Sequence, residues 1–227
     1  MRNARWASLL LLPLVLATLP AGDAKYAIKV GDTAPPKELD DAIQKLLGKQ
    51  SVQLLDAGGK MMGEFWFRSD IPAEATAEQI KNGLTYREVP QSTVLGAVRL
   101  DQDWRDYRKQ KVKAGVYTLR LAYQPMDGDH SGSSDFQEFL VVISANQDKK
   151  ADLLDTKHMI EASAKSIGAG HPAVFMLCPH GKPGANPELA AKPKNHYVLN
   201  TKGNVIVAGK KTGTVLGLGL NVVGHAD

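Results

Sequence analysis

Apolar and polar positions alternate most regularly over Gly115–Gln124, where Tyr117, Leu119, Leu121 and Tyr123 interleave with Val116, Thr118, Arg120 and Ala122. A period of two puts these sets on opposite faces of a β-strand. Phe136–Ile143 (FQEFLVVI) predicts its partner after a polar loop. Shorter runs rich in β-branched and aromatic residues predict further strands at 51–57, 61–67 (MMGEFWF), 84–89 (LTYREV), 92–100 and 173–178 (AVFMLC). The chain closes with strands at 196–207, broken by a hairpin at Lys202-Gly203-Asn204, and at 214–223. Residues 25–34 read as an N-terminal arm.

A longer period marks two helices. Leu39, Ile43, Leu46 and Leu47 share one helical face, with Pro35 and Pro36 suited to the first turn and Gly48 to the stop. Leu153, Ile160, Ala164 and Ile167 do the same over 149–167, before Gly168 and Gly170. One or two helical turns are expected over 74–82, closed by Asn82-Gly83. Nine or so strands with turns between them, plus two helices, predict a mainly β protein. The expected architecture is an antiparallel β-sandwich, immunoglobulin-like or jelly-roll-like, with two peripheral helices. Ala114–Thr118 is the kind of stretch that enters a sandwich strand with a tyrosine at its corner. No repeat and no low-complexity linker divides the chain, so 25–227 reads as a single domain.

The segment 1–24 has a different character. Arg2 and Arg5 precede an apolar run, Leu9–Leu16, and small residues follow, with Ala21 and Ala24 placed for cleavage. That layout predicts a signal peptide and a secreted or periplasmic protein. The apolar stretch, 6–19, is shorter than the roughly 20 residues a membrane-spanning helix needs. The ten residues of 214–223 are likewise too few for a helical span, so no transmembrane segment is expected after cleavage.

Charge and cysteine content narrow the partners. The formal net charge of +4 is too small an excess over 227 residues to announce nucleic acid. Cys178 is the single cysteine, so the domain has no intrachain disulfide and holds by its core.

Candidate chemistry is sparse. The loop Gln124–Gly132 gathers Asp127, Asp129 and His130, whose carboxylates and imidazole suit a divalent metal. It lacks the later ligands of an EF-hand, and Asp and Gly are also what a tight turn favours. Cys178 and His180, with His171 and His196, form a second set of soft ligands or a Cys/His pair, against which stands the ordinary role of a buried thiol. Arg105–Lys113 is the densest basic run and encloses Tyr107, a pattern that grips anions or simply a solvated loop. Phe65, Trp66 and Phe67 line either a sugar platform or the core, and alternation sends most of them inward. Nucleophile-elbow, zinc-protease and phosphate-loop signatures are absent. Glu64, Glu88 and Asp101 are acids available to a hydrolase, without a distinguishing pattern.

Two stretches, 115–132 (GVYTLRLAYQPMDGDHSG) with 135–143 (DFQEFLVVI), and 171–178 (HPAVFMLC) with 196–199 (HYVL), resemble a group of uncharacterised exported bacterial proteins. The shared mark is G-x-Y-T-L-R…Q-P-x-D-G-D-H-x-G. The resemblance runs from about residue 50 to the end and implies a secreted β-sandwich, with no activity attached. The expectation is therefore an exported, non-enzymatic binding or structural module whose ligand or partner is a glycan or an envelope protein. The alternatives are a metal-binding protein using the 127–130 loop and a carboxylate-based hydrolase. No cofactor is called for beyond that divalent metal.

Overall fold

The computed structural model describes residues 25–125 and 136–226. The chain is mainly β, as the alternation predicts, and among the described residues the pairing is antiparallel except at one short strand.

The first half builds a meander. Tyr26–Gly31 (β1) pairs with Leu47–Asp56 (β2), which pairs with Met61–Arg68 (β3). Val94–Leu100 (β5) follows β3 in the sheet, then Gly115–Tyr123 (β8) and Glu138–Ser144 (β9). Phe175–Cys178 (β10) continues the sheet by pairing with both β9 and Lys210–Val223 (β13). His196–Val207 (β12) and Glu188–Lys192 (β11) complete it. Asp70–Pro72 (β4) adds to β12 in parallel, and Trp104–Arg105 (β6) with Lys111–Val112 (β7) makes a separate ribbon.

One hydrogen-bonded path thus runs from β1 to β11, and it curls. The two ends approach until Cα atoms of β1 and β11 lie within 8 Å of each other. Tyr26 on β1 meets Tyr197 on β12 edge-to-face, centroids 4.8 Å apart. Curling follows from what the concave face must bury. Val52, Phe65, Val98, Leu119, Leu140, Phe175, Leu199 and Leu220 come from eight different strands and form one apolar cluster. Each large side chain buried there contributes about 1.5–3 kcal/mol.

The convex face is covered locally. Thr156–Ile167 (α3) is capped by Asp155, whose carboxylate accepts from His158 N, and by Gly168 in the left-handed region. It lays Met159 against Phe139, Val141, Ile143 and Met176. Asp41–Gln44 (α1), with Leu39 and Ile43, covers Trp66, Val94 and Ala97. Ala77–Asn82 (α2) is held by a capping box of Thr76 and Gln79.

Several expectations are corrected here. The described residues hold three α-helices, the third being the short helical turn expected over 74–82, found at Ala77–Asn82. The helix expected to run to Gly48 ends at Gln44, because Leu47 and Gly48 are drawn into β2 opposite β3. The strand expected at 84–89 is a single 3-10 turn, Tyr86–Glu88, since Glu88 folds back on Thr85 N in a capping box. The hairpin expected at Lys202-Gly203-Asn204 is uninterrupted strand, and the chain reverses at Ala208-Gly209 instead. The N-terminal arm of 25–34 contains β1, Tyr26–Gly31, which is paired along its whole length.

Between the layers lies a buried ion pair. The Arg120 guanidinium meets Asp148 through Nε at 2.7 Å and Nη2 at 2.9 Å, with both side chains sealed from solvent. Its remaining N–H groups go to the carbonyls of Ser92, Lys150 and Asp152. Thr118 Oγ1 also donates to Asp148. Ser92 supplies that carbonyl from a left-handed backbone, φ 66°, while its Oγ accepts from Leu154 N. The outward face of β8 is thereby tied to the segment that enters α3.

Candidate functional site

The 3-10 turn Tyr86–Glu88 sits against the end of the β10–β13 pair and forms one wall of a cleft of about 490 Å³. Arg87, Glu88, Glu138, His180 and Leu216 line it, with Tyr86 at its base. Tyr86 is fixed by its hydroxyl, which donates to Cys178 O at 2.9 Å and accepts from Gly219 N at 3.0 Å. Cys178 and Gly219 are register partners, so the phenol oxygen bridges a β-ladder from the side. Burial pushes this phenol well above the ordinary tyrosine range, so it stays neutral and donates. The Tyr123 hydroxyl lies 2.7 Å from Tyr86 O and 2.8 Å from Val89 O, anchoring the turn from the other side. Burial, together with the charges of Glu138 and Glu88, pushes Tyr123 up to about 12.

The polar rim is a linked set. Glu138 is mostly buried and faces the exposed Arg87, Nε to Oε1 3.5 Å. Arg87 Nη2 also donates to Gln137 Oε1 at 3.1 Å. The Glu88 carboxylate accepts from Thr85 N at 2.7 Å and Thr85 Oγ1 at 3.0 Å. Donors and acceptors therefore ring an apolar wall of Leu84 and Leu216, an arrangement that suits a hydroxyl-rich ligand.

Asp127, Asp129 and His130 lie outside the described residues. Tyr123 and Glu138, which bracket their loop, are register partners. The other candidates disperse. Cys178 is half-buried where β10 ends, and His180 lines the cleft. His196, by contrast, places Nε2 against His225 O at 3.0 Å and its ring edge-to-face with Tyr107. His171 is exposed in the loop before β10. Among the described residues no three His, Cys, Asp or Glu side chains gather as a metal set.

The basic run 105–113 is a tight β6–β7 ribbon whose aromatic residue is inward. Tyr107 is 4% exposed, and Lys111 pairs with Asp103. Phe65 and Phe67 enter the concave core, while Trp66 points the other way and donates Nε1 to Thr33 O at 2.7 Å. All three are buried, which removes the sugar-platform reading. Glu64 is also buried and accepts from Gln53 Nε2, and Asp101 is exposed beyond β5. Of the three acids singled out in sequence, Glu88 alone lines the cleft. Tyr86, Arg87 and Glu138 escaped sequence reasoning; the Thr85–Glu88 capping pattern was the signal that marks a turn there.

No helix among the described residues is long and apolar enough to cross a membrane. Comparison with protein-family models, with curated proteins and with solved structures finds no match for this chain.

Proposed function

We propose that this chain is an exported, non-enzymatic binding module that takes a glycan segment in the cleft beside Tyr86. The cleft itself carries the reading: donors and acceptors from Arg87, Glu88, Glu138 and His180 surround an apolar wall. Sugars present that combination, hydroxyl edges around a less polar ring face. The frame beneath is fixed by the Tyr86 bridge, so the site is preorganised. Export follows from the character of residues 1–24, and the scaffold is read as sandwich-like. Supporting that, residues of β2–β9 face residues of β12 and β13 across one core.

The test is titration of the processed protein with a panel of neutral oligosaccharides, followed by Arg87→Ala and Glu138→Gln. Saturable binding weakened about tenfold by either change is expected. Silence across the panel overturns the glycan reading, and capture of an envelope protein sensitive to the same changes would replace it.

A second reading has one observation in its favour. Glu88 and Glu138 line the same cleft, and glycoside hydrolysis uses two carboxylates. Glu88 is held by Thr85 and Glu138 faces Arg87, which favours positioning over proton transfer. Turnover of any bound oligosaccharide, abolished by Glu138→Gln, would establish the hydrolase.

A further inference from the structure

A second cleft opens where the two ends of the curled sheet fail to close. On one side, β1 pairs β2 only from Ser51 onward. The preceding Gly48, Lys49 and Gln50 form a bulge between the Leu47–Arg68 and Ser51–Trp66 pairs. On the other side, β11 covers the outer edge of β12 as far as Asn200, and β4 covers it again from Asn204. Thr201, Lys202 and Gly203 lie in the gap and have no ladder partner on that edge among the described residues. Asn204 N donates across this edge to Ser69 O at 2.8 Å. Strand alternation sends the backbone N–H of Lys202 across the same edge.

The resulting cleft holds about 320 Å³. Among the described residues its lining includes Lys49, Arg68 and Lys202 and no carboxylate. Asp70, just past β3, is already engaged by Asn204 Nδ2 at 3.1 Å and Lys211 Nζ at 3.5 Å. Neither Lys49 nor Lys202 has a carboxylate partner among the described residues, although Lys202 is half-buried. Gln50, Thr201 and Ser69 add neutral donors around them. Uncompensated cations and an open strand edge in a concave site raise the local concentration of anions and supply directed N–H groups.

We propose that this seam binds a tetrahedral oxyanion, a phosphate or sulfate group, through Lys49, Lys202 and the open edge of β12. The group is either free or an ester on a polymer, since both present the same oxygens. The site is separate from the Tyr86 cleft and does not depend on it.

The experiment is calorimetric titration of the processed protein with sodium phosphate and sodium sulfate, with amide shifts followed by NMR. Saturable binding is expected, with the largest shifts at Thr201–Gly203 and Gly48–Gln50. The double variant Lys49→Gln, Lys202→Gln should weaken it about tenfold or more while keeping the anion-free unfolding midpoint. Arg87→Ala should leave it intact, which separates this site from the glycan cleft. A sulfated polysaccharide binding far more tightly than its desulfated form and than sulfate marks the ligand as ester-borne; equal affinity for polymer and ion marks it as free. No saturable binding, shifts confined elsewhere, or full binding by the double variant overturns the proposal.

Discussion

The hydroxyl of Tyr86 accepts the backbone N–H of Gly219 at 3.0 Å while donating to Cys178 O, the residue paired with Gly219 across the sheet. A side chain from a distant turn therefore completes a strand pair. Gly219 permits this because a Cβ there would lie 2.7 Å from Cys178 O.

Tyr86→Phe should destabilise the fold by about 1–3 kcal/mol, because it orphans a buried donor and acceptor without altering volume. Urea denaturation measures this. Gly219→Ala should cost about as much or more, since the added methyl meets backbone. A neutral Tyr86→Phe would show that the strand pair closes without the phenol.

Removing one partner of the Arg120–Asp148 pair leaves a buried charge. Asp148→Ala should cost about 3–5 kcal/mol, and so should Arg120→Ala. The pair replaced together by apolar residues should lose far less than the sum. Additive losses in that double-mutant cycle would argue against a coupled pair.

Tyr123 gives a pH signature. Its phenol titrates near 12 in the fold, against about 10 in an unfolded chain. The unfolded state releases its proton first, so stability is whole below about pH 10 and declines as pH rises toward 12. Tyr123→Phe should flatten that decline in chemical denaturation followed from pH 9 to pH 12.

Asp106 gives a second signature. Burial raises its carboxyl above the ordinary range, more than its bonds to Val174 N, Gln110 Nε2 and Gln110 N lower it. Its protonated form is thus favoured by folding, and the associated stability is present at low pH and lost as pH rises through the raised value. Asp106→Asn should lower stability overall by mismatching those donors, yet lose the part of the pH slope just above the usual carboxylate range. Parallel slopes in both proteins would contradict the assignment.

The strongest strands were legible because their pattern is local. Tyr117, Leu119 and Leu121 alternate with Thr118 and Arg120, and the structure puts the first set in the concave core. Tyr117 Oη also donates to Lys113 O at 2.9 Å, which ties the entry of β8 to the residues just before it. The errors arose where a local signal competed with a partner far along the chain. Gly203 looks like a turn, yet β13 on one side and β4 just beyond hold it extended. Leu46 and Leu47 continue a helical stripe, yet pairing with β3 captures Leu47.

The sequence by itself determined the strand-rich character, the inward faces, the glycine stops of α2 and α3, and the absence of disulfide support. Those properties depend on residues a few positions apart. Only the tertiary structure decided that the sheet curls until β1 nears β11, and that Arg87 on a turn meets Glu138 on β9. It also decided that Lys49 and Lys202 face one seam. Such meetings join positions about fifty to one hundred and sixty residues apart, where a strand's period fixes which face a side chain takes but not which strand lies opposite.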